Sequence, residues 1–144
     1  MQIDGSCHCG EIAYRAEADP TRARICHCTD CQSLSGSAFR TVIPVAEADF
    51  TLMRGSLKVY IKTADSGSRR VQTFCGTCGS PIYATSEEGD NRSFGIRLGT
   101  VRQRDDFVPR RQYWARSSLR WLGQLNDMER VEGNNRPRAE NRHG

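Results

Sequence analysis

Seven cysteines in three tight groups constrain this 144-residue chain more than any other feature of its sequence. The groups are Cys7-His8-Cys9-Gly10, Cys26-His27-Cys28-Thr29-Asp30-Cys31 and Cys75-Gly76-Thr77-Cys78-Gly79. Short Cys-x-Cys and Cys-x-x-Cys spacings suit metal chelation better than disulfides, and an odd number of cysteines cannot pair completely. A tetrahedral zinc site takes four ligands, so seven cysteines divide as four plus three. Four would close one structural site. Three would leave a second metal with a free position, which separates a catalytic zinc from a structural one.

The flanking residues suggest which groups share a metal. Cys9 and Cys78 are each followed by glycine. A metal knuckle turns the backbone so that amide N–H groups face the sulfurs, and glycine relieves the cost where that turn needs positive φ. Cys7, Cys9, Cys75 and Cys78 therefore read as the two halves of one closed tetrathiolate zinc site, tying the N-terminus to the middle of the chain. Closing so long a loop restricts the unfolded state. Cys26, Cys28 and Cys31 lack the Cys-Gly ending and lie on one short segment. They can present three thiolates to one ion, with a vacancy for water or a substrate thiolate. Residue types alone fit equally well a second structural zinc completed by His27, His8 or Asp30. An iron–sulfur cluster usually takes four cysteines, and the spacing fits no common ferredoxin pattern.

His8 and His27 each lie between two cysteines, so in an extended segment their rings point away from the sulfurs. They read as packing or supporting groups, with His27 able to assist proton transfer at the open site. Several hydrolytic chemistries lack their residues. No His-x-Glu stands beside a Cys-x-x-Cys, as a nucleobase deaminase needs, and no His-Glu-x-x-His, Gly-x-Ser-x-Gly or P-loop is present.

Period-2 alternation recurs in short runs between turn residues and predicts a mostly β fold. The expected strands are Glu11–Ala16, Ala38–Val45, Leu57–Lys62, Arg69–Phe74, Pro81–Thr85 and Phe94–Gly99. A short helix is expected over Asp30–Ser35, and a helical turn or two within Ser117–Leu125. Hydrophobic residues make up 37% of the chain, a modest core that metal staples would help. One domain is expected over residues 1–132, followed by a polar, disordered tail over 133–144 that contains His143.

The net charge of +4 is uneven. Residues 1–100 carry 11 basic and 11 acidic side chains, whereas residues 101–144 carry 10 arginines against 6 acids. No lysine cluster or aromatic stacking motif accompanies these arginines, so the excess reads as a solvated surface rather than a nucleic-acid footprint. The polar run Met1–Ser6 is unlike a signal peptide, and no stretch approaches the ~20 apolar residues of a membrane span. The expectation is a soluble, cytoplasmic protein; oligomeric state is not legible.

The cysteine groups and their surroundings resemble a known family. The runs are Gly5–Tyr14, Cys26–Gln32 followed by Ser35-Gly36-Ser37-Ala38-Phe39, Gly55–Tyr60, and Phe74–Pro81. Together, over about residues 3–125, they resemble the glutathione-dependent formaldehyde-activating enzymes, a family that includes centromere-protein-V-like proteins. The resemblance implies an Mss4-like fold of small coiled antiparallel sheets stapled by zinc. It implies two zinc ions per chain, a structural one on Cys7, Cys9, Cys75 and Cys78 and a catalytic one on Cys26, Cys28 and Cys31. It also implies carbon–sulfur lyase chemistry, the condensation of formaldehyde with glutathione to S-hydroxymethylglutathione, or action on a related small thiol adduct. Arg40, Arg69 and Arg70 are candidates for holding the glutathione carboxylates in forked pairs. Where the family often has an acidic pair after Gly99-Thr100-Val101, this chain has Arg102-Gln103, with Asp105-Asp106 a few residues on. The competing reading is a non-catalytic zinc-binding module for a macromolecular partner.

Overall fold

Alternating side chains at every second position build ten strands in a computed structural model that describes residues 1–134. Most of the expected tail, including His143, lies outside the described residues. Two sheets form. The smaller has the order β1-β2-β5, from β1 (Gln2–Ser6), β2 (Ala13–Glu17) and β5 (Phe50–Arg54). The larger runs β10-β3-β4-β9-β8-β7-β6. Its strands are β3 (Arg24–Cys26), β4 (Arg40–Ala46), β6 (Leu57–Thr63), β7 (Arg69–Cys75), β8 (Pro81–Ser86), β9 (Ser93–Arg97) and β10 (Arg111–Tyr113). Neighbours pair antiparallel except β10, which lies parallel to β3.

The core lies between the sheets. Ile3 and Tyr14 of the small sheet pack in one buried cluster with Ile43, Ile82 and Ile96 of the large one. Phe50 on β5 bridges them, its ring 5.3 Å from Tyr14, 5.1 Å from Tyr83 and 5.4 Å from Phe94. Phe50 stacks on Tyr14 and meets Tyr83 and Phe94 edge to face, and such aromatic contacts add to the area buried by each ring. Tyr14 keeps its hydroxyl satisfied inside this core through Thr100 Oγ1, 2.8 Å away. Thr100 donates its own hydrogen to the Arg97 carbonyl at 2.9 Å, so Tyr14 is the donor of the pair. Cys7 and Cys75 belong to the same buried cluster.

The mostly β class and the short helix agree with the sequence reading; the helix α1 runs Thr29–Ser35 and ends on Gly36 at φ 66. Four strands escaped it: β1, β3, β5 and β10. β3 and β10 have three residues each, too short for a period to register. The helical turns expected in Ser117–Leu125 are 3-10 turns at Ala115–Ser117 and Arg120–Asp127. No described helix is long and apolar enough to cross a membrane.

Candidate metal centres and an arginine-lined cavity

The two halves of the closed cluster are adjacent turns at the ends of β1 and β7. Gly10 and Gly79 follow their cysteines at φ 85 and φ 80, the left-handed region in which glycine carries no Cβ penalty. Each turn aims backbone N–H groups at sulfur: Ile12 N lies 3.2 Å from Cys7 Sγ, and Thr77 N lies 3.4 Å from Cys75 Sγ. The sulfurs of Cys7, Cys9, Cys75 and Cys78 all fall within 4.8 Å of one another. Cys7–Cys9 and Cys9–Cys75 are 3.6 and 3.8 Å apart. A tetrahedron of sulfurs about 2.3 Å from a central zinc has edges of about 3.8 Å, whereas a disulfide bond is about 2.05 Å.

The thiols resist shared ionisation. Cys78 is pulled down to about 5, first by the Ser80 hydroxyl 3.2 Å away. Cys9, despite the pull of the Glu11 backbone, is pushed up to about 12 by desolvation and its three sulfur neighbours. Crowded negative charges split in this way, and a dication among them removes the conflict. Donor set, spacing and electrostatics all fit a structural metal.

The second cluster sits where β3 runs into α1. Cys26 ends the strand, and Cys28 caps the helix, its sulfur accepting from Cys31 N at 3.3 Å. Cys26, Cys28 and Cys31 bring their sulfurs within 4.8 Å, and no His, Asp or Glu joins this group among the described residues. Asp30 instead pairs with Lys62 at 2.7 Å. Buried His27 turns away from the sulfurs, with Nε2 2.7 Å from Gln112 Oε1. His8 is exposed. The thiols again split. Burial, which would raise Cys28, is outweighed by the Cys31 N–H and the neighbouring thiols, whereas burial and the same neighbours push Cys31 up to about 12. Three soft donors with no fourth nearby fit a metal that keeps a position for something else.

Cys26, Cys28 and Cys31 line a cavity of about 630 Å³ over one face of the large sheet. Strand register explains its lining. Cys26 pairs with Arg40 across β3 and β4, while Val42 pairs with Arg24 on one side and Arg97 on the other. Residues two apart share a face, so Cys26, Arg24, Arg40 and Arg97 lie on the same side of the sheet. Arg70 and Gln72 on β7 continue this lining. Gly95 and Ala84, directly paired, leave room beneath the long side chains.

Arg40 is only 5% exposed. Burial lowers its pKa against the pull of Cys31, Cys28 and Cys26. Arg97 is pushed down to about 9, first by burial and then by the Arg40 charge. Arg97 Nη2 donates to Gln72 Oε1 at 2.9 Å, but Arg97 Nε and Arg40 Nε and Nη2 are buried without an acceptor.

Of the three arginines named from sequence, Arg40 and Arg70 line the cavity. Arg69 points elsewhere, forked onto Glu87 at 2.8 and 3.0 Å. Arg24 and Arg97 were missed. Their signal was present: Arg97 occupies a polar alternate position on β9, which reads as solvent-facing until the sheet is known to cover a cavity. Arg102 and Gln103 both hold Asp4, at 2.8 and 2.7 Å, and Asp105-Asp106 lie in a 3-10 turn (Arg104–Asp106), so this segment pins β1 rather than lining the cavity.

Comparison with known proteins follows the same lines. The family model described as glutathione-dependent formaldehyde-activating enzyme matches residues 2–117. A Halomonas elongata protein named "Putative glutathione-dependent formaldehyde-activating enzyme" is 26% identical over 87 residues, covering 58% of this chain and 55% of that protein. The match thus spans about half the length of that curated relative. A crystal structure of a Rhodobacter sphaeroides protein shares the fold with a TM-score of 0.59, at 21% identity, over 76% of this chain and 98% of that one.

Proposed function

The chain belongs to the glutathione-dependent formaldehyde-activating enzyme family, and from that premise we propose that it is a zinc-dependent carbon–sulfur lyase-type enzyme joining formaldehyde to glutathione or a related small thiol. The observation that carries this reading is the three-cysteine cluster, without a fourth local ligand among the described residues, opening onto a cationic cavity.

In the reaction the thiol sulfur forms a bond to the aldehyde carbon. The carbonyl π bond breaks onto oxygen, and the thiol proton ends on that oxygen, giving S-hydroxymethylglutathione. Cys26, Cys28 and Cys31 would hold a catalytic zinc, and Cys7, Cys9, Cys75 and Cys78 a structural one. A zinc ion on the first set would supply Lewis acidity, lowering the pKa of a thiol or polarising the aldehyde oxygen. The protein contributes placement: a cavity of about 630 Å³ is within the usual range for a small-molecule site. Its guanidinium groups favour an anionic thiol over bulk solvent. Gln32 braces the trithiolate segment, donating from Nε2 to the carbonyls of His27 at 2.8 Å and Ser117 at 3.0 Å. The protein is read as acting in the cytoplasm.

The test is the rate of adduct formation between ¹³C-formaldehyde and glutathione, followed by exchange NMR with and without protein. Acceleration over the spontaneous rate, lost in Cys28→Ser, is expected. No acceleration, or equal rates in wild type and variant, removes the reading.

A further inference from the structure

The segment after residue 117 lies outside the family match and carries apolar side chains that the fold leaves uncovered. Its 3-10 helix, Arg120–Asp127, has eight residues, whereas runs beyond three or four are uncommon. Leucine or methionine recurs at every third residue from its N-cap to its C-cap, at Leu119, Leu122, Leu125 and Met128. Side chains three apart eclipse in this geometry, so Leu122 and Leu125 share one face. That face begins against the body of the protein and then leaves it. Leu119 and Leu122 are half-buried, whereas Leu125 is 51% and Met128 45% exposed. Trp121 and Val131 are exposed as well. Trp, Met and Arg are the side chains enriched where proteins meet. Residues 135–144 offer only Pro137 and Ala139 as apolar side chains, too little to cover this stripe.

We propose that this stripe is the interface of a homodimer, in which the 3-10 helices of two copies pack antiparallel about a two-fold axis at Gly123–Gln124. The charge pattern names the second copy as the partner. Residues 115–121 carry Arg116 and Arg120 and no acid, a charge of +2. Residues 126–132 carry Asp127, Glu129 and Glu132 against Arg130, a charge of −2, and residues 122–125 between them are uncharged. Among the described residues no ion pair engages any of these six charged side chains. Antiparallel packing sets the basic half of each copy on the acidic half of the other, whereas parallel packing sets like charge on like. It also brings Leu122 of one copy to Leu125 of the other, and Leu119 to Met128. A methyl added at Gly123 would meet no heavy atom within 4 Å, so the axis falls on open surface where two backbones can approach closely. A two-fold interface must be self-complementary, and this segment holds both halves of its own complement.

The experiment is sedimentation velocity on the full-length protein from zinc-replete culture, between about 1 and 100 μM. A monomer–dimer equilibrium is expected. A monomer throughout, or assembly beyond a dimer, overturns the proposal. Leu125→Glu should weaken dimerisation at least about thirtyfold, and an unchanged equilibrium removes this face as the interface. Arg116→Glu with Arg120→Glu makes both halves acidic and should weaken it at least about tenfold. Adding Asp127→Arg and Glu129→Arg to that variant reverses both halves together and should restore the wild-type equilibrium, because each copy again supplies both signs. Failure to recover overturns the antiparallel arrangement. All four charged positions are exposed, so these variants decide the question should Leu125→Glu fail to fold. The assay involves neither thiol nor formaldehyde, and its outcome is independent of the lyase reading.

Discussion

Removing both cysteines of the third group, Cys75→Ser with Cys78→Ser, should cost far more stability than Cys28→Ser. The closed cluster joins residues 66 apart in sequence, as the contact between Cys9 and Cys75 shows. By the loop-entropy relation for a covalent cross-link, closing about 66 residues is worth about 4 kcal/mol. Cys75 is 1% exposed, so a hydroxyl in its place adds a buried polar group to that cost. For a chain of this size each kcal/mol moves the melting temperature by roughly 3–5 °C, so the double variant should melt at least about 12 °C below wild type. Cys28→Ser behaves differently. Its cluster spans one short run, and serine is itself a good helix N-cap, so it should melt within about 5 °C of wild type. The assay is thermal unfolding by circular dichroism on protein from zinc-replete culture. A double variant that melts as Cys28→Ser does would refute the assignment of a structural role to the first and third groups.

Further outcomes follow from single contacts. Tyr14→Phe removes one buried hydrogen bond and should cost about 1 kcal/mol in urea titration, since Thr100 keeps its bond to Arg97. Gly55→Ala presses a methyl against the Glu11 carbonyl at φ +91 and should lower stability by at least about 2 kcal/mol in the same assay, whereas an unchanged midpoint would mean that the turn relaxes freely. Asp4 is held below its usual carboxylate pKa, first by Arg102 and then by Gln103. Its contribution is therefore fully present above the unfolded value near 3.8 and is lost as pH falls through the lower folded value. Stability of wild type and Asp4→Asn should differ at pH 6 and converge toward pH 2.

The clusters were legible because their signal is local. Two cysteines followed by glycine mark a knuckle whatever surrounds them, and the φ values of Gly10 and Gly79 bear out that backbone reading. Strands with clean alternation, such as Leu57–Thr63, were legible for the same reason. The cavity was not, because it depends on strand order. Arg24, Arg40 and Arg97 are far apart in sequence and meet only because β3, β4 and β9 are neighbours. Residues such as Arg97 then look like ordinary solvent-facing positions. Arg69 and Arg70 show the limit most simply: adjacent residues on one strand face opposite ways, one to Glu87 and one to the cavity.

The most direct test of two distinct metal centres is zinc per chain by elemental mass spectrometry, on reduced, dialysed protein from zinc-replete culture. Wild type is expected to carry two ions, and the variant with Cys26, Cys28 and Cys31 all changed to serine is expected to carry one while remaining folded. A wild type with one ion, or a triple variant that still carries two, would contradict the division of the seven cysteines into a closed set and an open one.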